Sequence, residues 1–175
     1  MWIREATMAD ASGIAKVHVD SWRTTYKGIV PDEYLSNLSY EQRKDLWQKN
    51  IGRKNNYVLV AENSEEQIVG FADAWKRENN FEQNSIDLTS IYLLDSYQGK
   101  GVGKKLLGML FQYFNQENYN KVFVEVLEEN NTRFFYEYYG ACLVETIQIE
   151  VGGKTLNESI YVWKDVKEVL EQIRT

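Results

Sequence analysis

Apolar positions along the chain change their period several times, and each change marks an element. Trp2 to Glu5 alternates and predicts a first strand. Thr7 or Asp10 can cap the helix that follows, which continues through Ile14, Val17 and His18. Ser21 to Val30, SWRTTYKGIV, interrupts that pattern as a polar-aromatic stretch, and Pro31 before Asp32-Glu33 suits the start of a short second helix. A further helix is expected over Glu41 to Lys49, with Leu46, Trp47 and Ile51 facing inward. YVLVAE (57–62) and IVGFADAW (68–75) read as antiparallel strands across a Ser-Glu-Glu turn. A β-branched-rich run from Ile86 to Leu94 ends at the polar turn Asp95-Ser96-Tyr97. The period then becomes helical, with Val102, Leu106, Leu107, Leu110, Phe111 and Phe114 on one stripe. KVFVEVL (121–127) is short and nearly continuously apolar, which suits a central strand lying parallel to the Ile86–Leu94 run through the intervening helix. Thr132 to Tyr139 predicts a short aromatic helix. Cys142 to Val151 and Lys154 to Trp163 predict a hairpin across Gly152-Gly153, and Asp165 to Arg174 a closing amphipathic helix. These elements predict an α/β (α+β) fold in one domain over residues 1–175. Its central sheet is mixed and mostly antiparallel, with one parallel strand pair, and is flanked by helices.

Composition narrows the function. Hydrophobic residues at 43% and charged residues at 26% are ordinary for a soluble globular protein. A net charge of −6 disfavours nucleic acid, whose phosphates need a basic face. No apolar run reaches the length of a membrane helix, and the charged N-terminus, MWIREATMAD, has no signal-peptide core. The lone Cys142 suits a reducing compartment, so a cytoplasmic location is expected. With His18 also alone of its type, no metal site is expected. Against the acidic background, Lys100, Lys104 and Lys105 make the start of the long helix locally cationic.

That start is a strand, a glycine-rich turn and a helix in direct succession. Free amides and the positive end of the helix dipole converge there, and glycine admits a bulky anion. We therefore read Gln98 to Lys104 as a pyrophosphate cradle. A P-loop would need Ser or Thr where Lys105 stands. The dinucleotide fingerprint would need glycine at Leu106, or at Lys104 in the other register. The spacing that fits is Gln/Arg-x-x-Gly-x-Gly, met by Gln98, Gly101 and Gly103. In this the chain resembles the GNAT superfamily of acetyl-CoA-dependent N-acetyltransferases, whose coenzyme pyrophosphate sits on the same turn. The element order is similar to the GNAT fold over nearly the whole chain, and SWRTTYKGI resembles an N-terminal motif of one branch.

The resemblance implies acetyl transfer from acetyl-CoA, as cosubstrate, to a primary amine on a small molecule or peptide, by direct attack in a ternary complex. A non-catalytic acyl-CoA-binding or regulatory module is the alternative, and a homodimer is compatible with similar proteins. In the family the strand before the glycine turn bulges and splays from its parallel neighbour. By resemblance Ile91, Tyr92 and Leu93 would then offer main-chain groups to pantetheine, and the Leu93 N–H would face the carbonyl oxygen. Gln98, Gly99, Lys100, Gly101, Val102, Gly103 and Lys104 would hold the diphosphate. Asn130 to Tyr136 resembles the family's N-x-x-x-x-F-Y motif, in which the Asn holds coenzyme and the Tyr phenol lies near the sulfur. Tyr136 would thus be the general acid, since a phenol of pKa near ~10 stays protonated at neutral pH. Packing is the alternative in so aromatic a helix. Asn130 and Asn131 compete for the coenzyme, and spacing favours Asn130. Gly140-Ala141 replaces the usual Gly-Phe that follows. Asp87 is a candidate base where many relatives carry Glu, and strand alternation would put it on one face with Thr89 and Ile91. A strand-starting Asp87 near solvent is the plainer reading. Asp73 and Glu125 are alternatives, as is His18, whose helical stripe also suits packing. Trp22, Tyr26 and Trp47 are candidates for the acceptor pocket or for the core.

Overall fold

The computed structural model describes residues 1–174; Thr175, the last residue of the expected domain, lies outside them. Seven strands form one sheet: β1 (Trp2–Glu5), β2 (Tyr57–Glu62), β3 (Ile68–Trp75), β4 (Ser85–Leu93), β5 (Lys121–Leu127), β6 (Cys142–Val151) and β7 (Lys154–Trp163). Their order is β1-β2-β3-β4-β5-β7-β6. Only β4 and β5 run parallel among the described residues, joined by helix α4 (Val102–Gln116). The remaining helices are α1 (Ala11–Thr25), α2 (Asp32–Ser36), α3 (Tyr40–Ile51), α5 (Thr132–Tyr138) and α6 (Val166–Arg174).

Each face of the sheet is covered because the strands alternate large apolar side chains. On one face Leu59, Ala72, Ile86 and Val124 meet the stripe of α4, including Leu106, Leu110 and Phe114. On the other, Val58, Val60 and Phe71 pack under Ile14 and Val17 of α1 and Trp47 of α3. Helix α1 runs to Thr25 and so absorbs the first half of the stretch expected to be irregular. Ser and Thr compete for their own backbone and weaken a helical signal. Tertiary contact carries this helix instead: Val19 and Ser21 are buried, and Ser21 Oγ donates to Leu93 O at 3.1 Å.

β4 carries one residue too many. Asp73 of β3 opposes Ser90, whereas the next residue, Ala74, opposes Leu88, so Thr89 is left over as a bulge. Its Oγ1 donates to Asp73 O at 3.0 Å. The alternation inverts at this point. Ile86 and Leu88 before the bulge, and Ile91 and Leu93 after it, all pack on the α4 side. Asp87 therefore does not share a face with Ile91, contrary to the period-two expectation. The parallel ladder to β5 also ends here, at Leu88 opposite Val124, and the two strands part beyond it. Gly70 lets Leu93 tuck beneath β3, since a Cβ there would lie 2.2 Å from Leu93 Cδ2 and 3.1 Å from the Tyr92 carbonyl oxygen.

Candidate active site

A cavity of about 700 Å³ opens where β4 and β5 part, at the head of α4. Ile91, Tyr92 and Leu93 form one wall, and Asn130, Asn131 and Phe135 another. Gln98, Gly99, Gly101, Gly103 and Lys104 form the rim.

The rim is made by backbone. Gly99 and Gly101 lie at φ +68° and +76°, and Gly101 is the N-cap of α4. A Cβ at either would meet no atom within 4 Å, so both face open space. The Gln98 N–H donates to Asp95 O at 3.1 Å and is spent inside the turn. Among the described residues no protein acceptor engages the amides from Gly99 to Lys104. Unsatisfied amides at a helix head are an anion site, and Lys104 adds charge beside them. Val102 buries its side chain in the core, so only its N–H is on offer. Lys100 does not line the cavity; its Nζ lies 5.7 Å from the centre of the Tyr97 ring. These groups fit the diphosphate of an acyl-CoA. Among the described residues no cluster of His, Cys, Asp or Glu is arranged to hold a metal ion. No described helix is long and apolar enough to cross a membrane.

β4 supplies the next groups. Leu94 N–H donates to Val69 O at 3.0 Å, so by ladder alternation Leu93 turns its N–H and C=O away from β3, into the splay. Its carbonyl there accepts from Ser21 Oγ at 3.1 Å and from Gln98 Nε2 at 3.3 Å. Among the described residues no acceptor engages the Leu93 N–H.

A smaller cavity of about 30 Å³ continues into the cleft between the strands. Tyr26, Thr89, Glu125 and Tyr136 line it, and Tyr92 and Asn130 line both spaces. Tyr136 is buried, its ring edge-on to Trp163 at 5.5 Å. Burial, with a smaller effect from Tyr26, holds its phenol far above the usual tyrosine range, so it stays protonated at neutral pH. Asn130 is buried and accepts from Thr132 N at 2.9 Å through Oδ1, which leaves its NH₂ facing the cleft. Asn131 also lines the larger cavity but is exposed.

The candidate bases are dispersed. Asp87 is buried, and its Oδ2 accepts from Arg77 N at 3.0 Å and Asn80 Nδ2 at 2.8 Å, tying down the β3–β4 connection. It lines neither cavity. Asp73 is buried beneath the bulge, where desolvation pushes its carboxyl up to about 6. Glu125 lines the smaller cavity and pairs with Arg77 at 2.6 Å. His18 packs among Trp22, Trp47, Phe71 and Tyr92, and its Nδ1 accepts from Trp47 Nε1 at 3.0 Å. Burial, aided by Arg43, pushes its pKa down to about 3. It is a neutral core group.

The unfolded chain therefore takes up a proton on His18 before the native state does. Its share of stability is complete above about 6.5 and is lost as the pH falls towards about 3. Asp73 has the opposite sign, its raised pKa costing stability as the pH rises through about 6. Urea unfolding at pH 7 and pH 4.5 is expected to show a smaller acid loss in His18→Gln than in the wild type, because Asp73 acts equally in both. Equal losses would contradict this account of His18.

Sequence reasoning missed Ser21; the bulge in this strand was expected from the family resemblance but not its place at Thr89, and Tyr26 was offered for the acceptor pocket or the core. The polar residues inside SWRTTYKGIV were the one signal for Ser21 and Tyr26.

Comparison with known proteins adds the following. The sequence profile of the Acetyltransferase (GNAT) family matches residues 19–141. The Uncharacterized N-acetyltransferase YuaI of Bacillus subtilis (strain 168) is 36% identical over 164 residues, covering 94% of this chain and 93% of that protein. The Spermidine N(1)-acetyltransferase of Thermoplasma acidophilum is 23% identical over 147 residues, covering 82% and 88%. The crystal structure of the PaiA N-acetyltransferase of Thermoplasma acidophilum in complex with coenzyme A has the same fold. It superposes with a TM-score of 0.76 at 23% identity, over 93% of this chain and 98% of that one.

Proposed function

The chain belongs to the Acetyltransferase (GNAT) family, and from that premise we propose that it transfers an acetyl group from acetyl-CoA to a primary amine by direct attack in a ternary complex. The observation that carries this reading is the row of unengaged amides from Gly99 to Lys104, four of whose residues, Gly99, Gly101, Gly103 and Lys104, line the same cavity as Leu93 and Asn130.

Acetyl-CoA supplies an acetyl group already activated as a thioester. The Gly99–Lys104 amides and Lys104 neutralise the diphosphate, and the Asn130 NH₂ donates to the coenzyme's amide arm. Binding on both walls of the splay holds the reacting carbonyl still, which removes much of the entropic barrier. The Leu93 N–H faces the negative charge that develops on the carbonyl oxygen. Tyr136 holds the proton that the departing sulfur requires. Of the groups weighed as base, Glu125 lines the cleft, and it is assigned the incoming ammonium. Glu158, half-buried on the neighbouring β7, lies within the field of Glu125. Two carboxylates against the single Arg77 guanidinium leave this end of the cleft net negative, which favours a cationic acceptor, and the spermidine-acetylating relative supports the same class. Asp87 has no chemical role in this proposal, because its carboxylate closes a loop.

Incubation with acetyl-CoA and a panel of cationic amines is expected to release free CoA and yield the N-acetyl product. Tight CoA binding with no transfer to any amine would replace this reading with a non-catalytic acyl-CoA-binding module. Absence of CoA binding would remove both.

A further inference from the structure

Tyr26 closes the stretch whose role the acetyl-transfer chemistry leaves open. Its backbone is fixed from both sides: its N–H donates to Trp22 O at 3.0 Å, and its carbonyl accepts from the Ile29 and Val30 amides at 3.0 Å each. Its ring lies edge-on to Trp22 with centres 4.6 Å apart. Backbone and ring thus hold the hydroxyl at one point, and that point is a junction of three elements. The Tyr26 hydroxyl is 3.0 Å from the Tyr92 hydroxyl, on β4 beyond the bulge. It also accepts from Asn130 Nδ2 at 3.5 Å, on the connection from β5 to α5.

The second contact is long, and its value lies in orientation. Asn130 commits its Oδ1 to Thr132 N, so its NH₂ must turn towards Tyr26. An amide NH₂ carries two hydrogens. One meets the Tyr26 hydroxyl, and the other remains for a ligand entering the larger cavity that Asn130 also lines. Tyr26 itself lines the smaller cavity, which at about 30 Å³ holds about one water. The end of α1 is thereby tied to the wall where the coenzyme would lie.

We infer that Tyr26 is a positioning residue: its hydroxyl holds the Asn130 amide in the orientation that receives the coenzyme's arm, and so couples the loop after α1 to coenzyme binding. This rests on the acetyl-CoA reading. A packing role alone would be preserved by phenylalanine, which keeps the ring against Trp22, whereas the positioning role would be lost with the hydroxyl.

The test is a double-mutant cycle read by calorimetric titration with CoA. Tyr26→Phe and Asn130→Ala are each expected to raise the Kd for CoA by about 3- to 10-fold, the range of a single hydrogen bond. The double variant is expected to be no weaker than Asn130→Ala alone, because the Tyr26 hydroxyl acts on the coenzyme only through Asn130. The melting temperature of Tyr26→Phe should stay within about 3 °C of the wild type. An unchanged Kd for Tyr26→Phe, or two effects that multiply, would overturn the inference. If Tyr26→Phe does not fold, Tyr92→Phe replaces it. That variant keeps the Tyr26 ring but removes the partner that aligns its hydroxyl, so a raised Kd supports the inference and an unchanged one overturns it. A wild-type protein that does not bind CoA would instead defeat the acetyl-CoA reading itself, and the Tyr26 inference with it.

Discussion

Tyr136→Phe is expected to lower the rate of amine-dependent CoA release by about 100-fold or more, the usual worth of a positioned acid. The variant should fold normally. Phenylalanine retains the ring that packs on Trp163 and Phe135, and no protein group among the described residues bonds to the lost hydroxyl. Stability is therefore expected to change by no more than about 1 kcal/mol. CoA affinity should also hold, because Asn130 and the helix-head amides are untouched. A thiol-trapping assay for the rate, with calorimetry for the affinity, separates the two. A wild-type rate in Tyr136→Phe would assign the proton to solvent and return the residue to the core.

The second large effect belongs to Gly101. At φ +76° a β-branched residue is strained, by about 1–2 kcal/mol, and the stability loss should be of that size. The effect on ligand should be far greater. A valine side chain would project into the open space above the amides, and relief of the strain would turn the Val102 and Gly103 N–H groups away from it. Loss of two or more charge-assisted bonds corresponds to about 100-fold or more in the Kd for CoA. Gly153 provides the control. It sits at φ +80° with nothing within 4 Å, at the far hairpin of β6 and β7. Gly153→Val should show similar strain and unchanged CoA affinity. If both variants bind CoA like the wild type, the turn is not the anchor.

Features set by local rules were legible in the sequence. The α4 stripe, the strand before it and the glycine turn between them follow from side-chain period and from backbone freedom. The hairpin across Gly152-Gly153 follows from turn chemistry. Features set by partners distant in the chain were not. The resemblance implied a bulge in β4, but its place at Thr89 depends on how β3 closes on β4, and alternation read from the sequence could only continue through it. Asp87 looks like any carboxylate in a strand until the β3–β4 connection folds back and supplies Arg77 N and Asn80. His18 has a base's intrinsic pKa, but burial against Trp47 removes that property. The end of α1 was hidden because Ser and Thr weaken the helical signal there, and the contacts of Ser21 and Tyr26 across the sheet hold it instead.

The most direct measurement is a crystal structure of the protein with coenzyme A bound. The diphosphate oxygens are expected within about 3 Å of amide nitrogens between Gly99 and Lys104, with the pantetheine arm running between β4 and Asn130. A coenzyme held elsewhere, with those amides facing only water, would contradict the account.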